Sequence, residues 1–131
     1  MQREIKFRAW DSGNNTMMFE FPDYDYYTQM QNGVLEVGTT IDGDYRELPL
    51  MQSTGLKDKN GVEIWEGDLV KHHNDFGLPV AEVAYIIDHG CWALLHDSFK
   101  RTVTQYKRLT QKTLNESGGE VVGNIHQNRN R

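Results

Sequence analysis

Two tight turns between short apolar runs in the middle of the chain constrain the fold more than any other feature. The first turn is Asp58-Lys59-Asn60-Gly61, in which the aspartate accepts local N–H groups and Asn-Gly favours positive φ. The second is Glu66-Gly67-Asp68, whose glycine can adopt a φ that other residues resist. Because β-branched and aromatic residues flank both turns, the pattern predicts antiparallel strands over residues 48–71.

Further strand patterns lie on both sides of this block. Residues 5–9 alternate apolar and charged side chains, a turn-forming run follows, and residues 16–21 are again rich in apolar side chains, which predicts an N-terminal hairpin. Three more strands are predicted downstream, at residues 80–87, 91–96 and 120–126, with Gly123 as a candidate bulge. Strands at this spacing are typical of a small barrel or sandwich.

Residues 22–45 have the weakest pattern. Turn signals occur at Asn32-Gly33 and Asp42-Gly43, and the region predicts loops with small strands. Three tyrosines lie among acidic residues here, at Tyr24, Tyr26 and Tyr27. They predict a stacking or protein-binding surface, a cover for a thin core or an oligomer interface.

One segment has helical spacing. Its apolar residues recur every three or four positions, which favours a short helix over residues 99–114, although its β-branched residues leave a strand as the alternative. A loop is predicted at residues 115–119. On a helix, five basic residues would share one face as a candidate contact with nucleic acid or a partner: Lys100, Arg101, Lys107, Arg108 and Lys112. Because the whole chain is acidic, the favoured alternative is a solvated face or a face paired with the excess acidic residues.

The composition excludes several classes of protein. Of the 131 residues, 37% are hydrophobic and 11% aromatic, which is typical of a small globular domain and not of a disordered chain. Lys and Arg number 14 against 19 Asp and Glu, giving a formal net charge of −5. No apolar run resembles a membrane span or a secretory signal, so we expect a cytoplasmic protein without a membrane partner.

The residues that most often carry chemistry form no recognisable site in the sequence. His72 and His73 are adjacent, so on a strand they point to opposite faces, and no His-x-x-x-His spacing occurs. Cys91 is the single cysteine and is expected to be buried and inert, although His89 lies two residues away. No phosphate-binding loop or dinucleotide fingerprint is present. We therefore expect no catalytic, metal-binding or cofactor-binding residues and no cofactor.

Three blocks of the sequence resemble a known family. They are REIKFRAWD at residues 3–11, LMQSTGLKDKNGVEIWEGDLV at 50–70 and EVVGNIHQN at 120–128, and the central block is the most specific. In this order they resemble the YopX family of phage and prophage proteins. The resemblance implies a phage or prophage origin in bacteria, a mostly β protein with an SH3-like barrel element, and an oligomer. It transfers no catalytic residue, since the family has no established biochemical function.

The residues that bend the chain within these blocks are interpreted as a structural signature: Gly55, Asp58, Asn60, Gly61, Glu66, Gly67, Asp68, Gly123 and Asn124. The predicted fold is mainly β (β-rich α+β) with at most one or two short helices. We expect an N-terminal hairpin and loop-rich region in residues 1–47, an SH3-like β-barrel domain in 48–127 and a frayed tail at 128–131.

Three functional interpretations remain. The first is a non-enzymatic binding or assembly module of a phage or prophage, which contacts a phage or host protein or another copy of itself. The second is a small-barrel protein that binds nucleic acid through the basic residues between 100 and 112. The third is an enzyme with an unfamiliar site. The sequence favours the first, because it contains no nucleophile–base pair, metal-ligand spacing or cofactor loop.

Overall fold

The computed structural model describes residues 4–22, 25–73, 80–96 and 106–127. Strands make up 55% of these residues and helices 9%, which confirms the mainly β fold. The strands are β1 (Phe7–Asp11), β2 (Thr16–Met18), β3 (Tyr27–Gln31), β4 (Val34–Ile41), β5 (Asp44–Glu47), β6 (Leu50–Lys57), β7 (Glu63–Trp65), β8 (Asp68–Lys71), β9 (Val80–Ile86), β10 (Cys91–Leu95), β11 (Lys107–Arg108) and β12 (Glu120–Asn124). The described ranges also contain one α-helix, α1 (Gln111–Ser117), and a 3-10 turn at Ile87–His89. Neither is long and apolar enough to cross a membrane.

One of the two compact units of the chain comprises residues 6–52. In this unit β1 pairs with β2, which forms the predicted N-terminal hairpin, and with the first residues of β6. A second antiparallel sheet has the strand order β3-β4-β5. Ala9, Tyr26, Val37 and Leu48 are buried together as the core of the unit. Val37 therefore marks the inward face of β4.

The β3-β4-β5 sheet lies in the region that was expected to be rich in loops. Its hairpin turns are Asn32-Gly33, with φ of 54° and 79°, and Asp42-Gly43, with φ of 53° and 84°. Two successive residues with positive φ form a type I′ turn, whose twist matches that of antiparallel strands. The strands are difficult to recognise in the sequence because few of their side chains are buried.

The other unit holds the remaining described residues, from 53 onward together with residues 4 and 5. Its antiparallel sheet has the order β11-β10-β9-β8-β12, and the later part of β6 pairs with β7. Its core is a cluster of buried apolar side chains: Ile64, Val70, Ala81, Val83, Leu94, Leu109 and Leu114. The register of β12 shifts between Val121 and Gly123, where the bulge was expected. An SH3-like barrel and a domain division between residues 47 and 48 stay predictions.

The helix predicted over residues 99–114 is wrong at residues 106–110 and confirmed at residues 111–114. Lys107 and Arg108 form β11, which pairs with β10, and the helix begins only at Gln111. The rest of the prediction falls on residues 99–105, which lie outside the described ranges. The helical spacing was misleading because its described members, Tyr106 and Leu109, flank the strand β11 and precede the helix.

The two ends of α1 explain its actual position. At the start, the Thr110 hydroxyl accepts a hydrogen bond from the backbone N–H of Thr113 at 3.1 Å, which caps the first turn. At the end, Gly118 has a φ of 66° and its N–H donates to the carbonyl of Leu114. The helix therefore extends into residues 115–117, where the sequence predicted a loop.

Candidate functional site

Asp58 makes the most extensive backbone contacts of the structural signature. Its carboxylate accepts hydrogen bonds from the backbone N–H groups of Asn60 at 2.8 Å, Val62 at 2.9 Å and Val121 at 2.9 Å. The first two close the turn between β6 and β7, and the third ties this turn to β12. Burial opposes ionisation, but the bonds from Val121, Val62 and Asn60 outweigh it and hold the pKa of Asp58 below its ordinary value.

Three signature glycines adopt a backbone conformation that side chains resist. The φ angles of Gly55, Gly61 and Gly67 are 78°, 80° and 86°, all in the left-handed region. The peptide groups on both sides of Gly67 are also paired. Its N–H donates to the carbonyl of Val83, and its carbonyl accepts from the N–H of Ile125, each at 2.9 Å. A substitution at Gly67 would therefore strain a residue whose N–H and carbonyl groups are both held by hydrogen bonds.

The polar signature residues bind the backbone or a neighbouring side chain. The carboxylate of Asp68 accepts from the N–H of Trp65 at 2.8 Å. The side-chain oxygen of Asn124 accepts from the backbone N–H groups two and three residues further on, at 3.0 and 2.9 Å. Asn60 donates its side-chain amide to a glutamate of β12 at 3.4 Å, and Glu66 is half-buried in the second turn. These contacts stabilise turns and strand ends, which supports a structural role for the signature.

The three described cations of the basic segment do not form one helical face. Lys107 and Arg108 are neighbours on β11, so they project from opposite sides of the strand. Lys112 lies on α1, with its ammonium nitrogen 4.0 Å from the carboxylate of Glu116. Lys100 and Arg101 lie outside the described ranges. A contact of these five residues with nucleic acid or a partner stays a prediction.

Two histidines from different strands meet in the interior of the second unit. His72 follows β8 and His96 follows β10, and their side chains are only 5% and 2% exposed. Their Nε2 atoms lie 3.3 Å apart. His73 is exposed, as the alternation along a strand predicts. Sequence reasoning missed this pair because no spacing motif connects the two residues.

The environment of His72 disfavours its charged form. Burial is the largest cause, followed by the electrostatic effects of His96 and Lys107, and together they lower the pKa of His72 to about 4. The imidazole is therefore neutral at pH 7. Within the described ranges, no three His, Cys, Asp or Glu side chains come together as a metal-binding group.

Cys91 is buried, and its setting favours the inert interpretation. Its sulfur lies 3.8 Å from the hydroxyl of Tyr106, which also contacts Nδ1 of His89. Burial and the hydrogen bond with the thiol raise the pKa of Tyr106. Activation of a cysteine requires a positive and partly exposed environment, whereas this thiol faces a phenol that retains its proton.

The outward face of the β3-β4-β5 sheet, opposite Val37, carries an open groove of about 700 Å³. The ring of Tyr45 lies across Gly38 of the neighbouring strand, where any Cβ would collide with it. This is the arrangement in which an aromatic ring covers a glycine in a sheet. Tyr27 lies beside Tyr45, with ring centroids 6.2 Å apart and planes inclined by 64°. The two tyrosines are 55% and 49% exposed, so both rings are available to a ligand.

Carboxylates give this groove a negative character. The Tyr45 hydroxyl donates to Oε1 of Glu36 at 2.7 Å. That hydrogen bond, then partial burial and the charges of Glu36 and Glu47, raise the pKa of Tyr45 to about 12. Among the described residues that line the groove, Glu36 is charged and there is no lysine or arginine. The groove thus combines two exposed aromatic rings with negative charge.

The structure separates the tyrosines that the sequence grouped together. Tyr26 is buried, and its hydroxyl donates to the carboxylate of Asp11 at 2.9 Å. Tyr27 is exposed in the groove, and Tyr24 lies outside the described ranges. The core interpretation is therefore confirmed for Tyr26, while a binding surface at Tyr27 stays a prediction. Sequence reasoning missed Tyr45, because only the pairing of β4 with β5 brings it to the same face as Tyr27.

Comparison with known proteins identifies the family to which the signature belongs. The family model described as YopX protein matches residues 6–131, which is nearly the whole chain. The chain belongs to the YopX family. This YopX chain is also similar to a solved structure, the crystal structure of protein EF1440 from Enterococcus faecalis. The two share 29% sequence identity over 98% of each chain, with a TM-score of 0.54. No curated protein matches the chain.

The YopX signature and the groove occupy different stretches of the chain. The signature residues fall between residues 55 and 68 and at 123–124, where they stabilise turns. The groove residues fall between residues 26 and 45. Family membership therefore explains the fold, and a function has to be argued from the groove itself.

Proposed function

We propose that this YopX protein is a non-enzymatic binding or assembly module of phage or prophage origin, which acts through protein–protein contacts in the cytoplasm of a bacterial host. The observation that carries the proposal is the groove over Gly38, in which Tyr27 and Tyr45 are exposed beside Glu36. Exposed tyrosine is enriched in protein interfaces because a large rigid ring loses little conformational entropy on binding.

The chemistry of the groove indicates what kind of side chain a partner would place in it. A cation above the face of a tyrosine is attracted by about 0.5–2 kcal/mol, the larger value applying when water is excluded. A carboxylate at the same place adds a charge-assisted hydrogen bond. Tyr27 and Tyr45 supply the rings, and Glu36 supplies the carboxylate. We therefore assign the groove to a basic segment of a partner protein, which places an arginine or lysine side chain against the exposed surfaces of the two rings, beside Glu36.

The strands around the groove also suit a protein partner. Val34 is an exposed apolar side chain on the same face of the sheet as Glu36. In the described residues β3 and β5 are the outer strands of the order β3-β4-β5. An outer strand has backbone groups along one edge to which an extended segment can add by hydrogen bonding. Apolar contact and strand addition would supplement the cationic anchor.

Selection from a random peptide library on the immobilised protein tests this proposal. We expect enrichment of sequences that contain arginine or lysine, and loss of their binding in Tyr27→Ser and Tyr45→Ser by about tenfold or more, the size of a strong interface contact. Glu20→Gln is the matched control, because it removes one negative charge at an exposed position outside the groove. No enrichment, or enrichment that survives both tyrosine substitutions, would contradict the proposal.

Self-association is the form of this proposal in which the partner is a second copy. Sedimentation velocity over a range of protein concentrations distinguishes it from a separate partner. If copies associate through the groove, Tyr27→Ser and Tyr45→Ser shift the chain toward monomer and Glu20→Gln does not. If the protein associates and neither tyrosine substitution affects it, the groove is not the assembly surface.

A further inference from the structure

The paired histidines in the interior have the geometry of two ligands of one metal ion. We propose that His72 and His96 bind a transition-metal ion of the zinc class between their Nε2 atoms. Neutral imidazole nitrogen is a common ligand for zinc, copper and nickel ions. The site is independent of the groove and of the proposed function.

The distances between the two rings support this assignment. The Nε2 atoms are 3.3 Å apart, and two nitrogens bound to one tetrahedral ion at about 2.0–2.1 Å lie about 3.3–3.4 Å apart. The ring centroids are 5.2 Å apart. Rings directed at a shared tetrahedral ion would have centroids about 5.2 Å apart, whereas an in-line N–H···N hydrogen bond of the same length would separate them by about 5.6 Å. Both distances therefore fit a shared ion.

The surroundings hold His96 in the orientation and tautomer that a metal ligand needs. Its Nδ1 lies 3.1 Å from the carbonyl oxygen of Val80, to which it donates its proton. A metal-bound histidine commonly donates its other ring N–H to a carbonyl in this way. The proton on Nδ1 directs the Nε2 lone pair of His96 toward His72. The neighbouring strands β8, β9 and β10 are paired in one sheet, so they position both histidines.

The affinity of the two histidines for a metal ion is limited by the small number of protein ligands and by a nearby positive charge. Two protein nitrogens leave the other positions of a tetrahedral ion to water or to additional ligands. Lys107 acts on His72 with its positive charge, which opposes a second cation at this place. Removal of this ammonium group should therefore strengthen binding, an effect that a purely structural histidine pair would not produce.

Calorimetric titration of the untagged chain with zinc chloride at pH 7.5 tests the proposal, and cobalt(II) serves as an absorbing probe of tetrahedral coordination. We expect one ion per chain, with affinity lowered by about tenfold or more in His72→Gln and in His96→Gln. His73→Gln is the matched control, because this neighbouring histidine is exposed, and it should bind as the native chain does. Lys107→Met should bind more tightly.

Three results would overturn the proposal. Absence of binding would show that the two histidines form only a hydrogen bond. An affinity that falls equally in His73→Gln would indicate an adventitious surface site. If the His72 and His96 variants do not fold, as judged by circular dichroism, Lys107→Met decides the matter, because unchanged affinity in that variant contradicts a metal between the two rings.

Discussion

Replacement of Asp58 by asparagine should destabilise the protein strongly. Asparagine keeps one oxygen for the N–H groups of Asn60 and Val62, but its amide would face the N–H of Val121, which the native carboxylate binds at 2.9 Å. A hydrogen bond to a charged group contributes about 1.5–3 kcal/mol, and an unsatisfied buried donor costs about 1–3 kcal/mol. We expect Asp58→Asn to lower the free energy of unfolding by about 3 kcal/mol, or the melting temperature by about 10 °C.

The loss of unfolding free energy in Asp58→Asn should become smaller at low pH. Because the folded-state pKa of Asp58 is lowered, its carboxylate stabilises the fold at pH values above its unfolded pKa of about 3.9. That stabilisation disappears as the pH falls through the lowered folded-state value. The difference in unfolding free energy between the native chain and Asp58→Asn should therefore be complete at pH 7 and shrink below about pH 4.

Urea unfolding at pH 7 and at pH 3.5, followed by tryptophan fluorescence, measures both effects. Asp88→Asn is the control, since this aspartate is exposed in the 3-10 turn and should change stability by less than about 0.5 kcal/mol. If Asp58→Asn unfolds within about 0.5 kcal/mol of the native chain at pH 7, Asp58 does not organise the turn. A difference that stays constant with pH would show that ionisation of Asp58 is not the cause.

Three further expectations concern the second turn, the groove and the basic segment. Gly67→Val should cost about 1–3 kcal/mol of unfolding free energy in thermal denaturation, because its φ is 86°; an unchanged melting curve would refute this. Gly38→Ala should displace the ring of Tyr45, and so weaken peptide binding in the groove; binding equal to that of the native chain would contradict the role of the glycine. Fluorescence anisotropy with labelled oligonucleotides should show no binding at physiological salt. Binding that weakens steeply with salt and disappears in Lys107→Glu/Arg108→Glu would instead support the nucleic-acid alternative.

The sequence predicts those parts of the fold that rest on local signals. The N-terminal hairpin and the turn at Asp58 follow from residue types that favour particular backbone conformations. The helix was misplaced, because the apolar spacing around Tyr106 and Leu109 fits a helix equally well. Only the caps at Thr110 and Gly118 mark where α1 actually lies. Periodicity over a short and partly β-branched segment could not distinguish these alternatives.

The candidate sites depend on contacts between distant residues, which the sequence does not record. Tyr45 reaches Glu36 only because it crosses the glycine between them on the face formed by β4 and β5. His72 meets His96 only through the pairing of β8, β9 and β10. In both cases the residue types were visible, but their proximity follows from strand register. A turn motif can be recognised in the sequence, whereas a site assembled from several strands can be recognised only once the fold is known.

The central claim is that the groove over Gly38 accepts a cationic side chain, and amide chemical-shift mapping tests it most directly. The ¹⁵N-labelled chain would be titrated with acetyl-Gly-Arg-Gly-amide and with the same peptide containing neutral citrulline. We predict shifts concentrated at Tyr27, Glu36 and Tyr45 with the arginine peptide, much smaller shifts with citrulline, and weakened binding in Glu36→Gln. Equal shifts with both peptides, or shifts spread over acidic residues outside the groove, would contradict the claim.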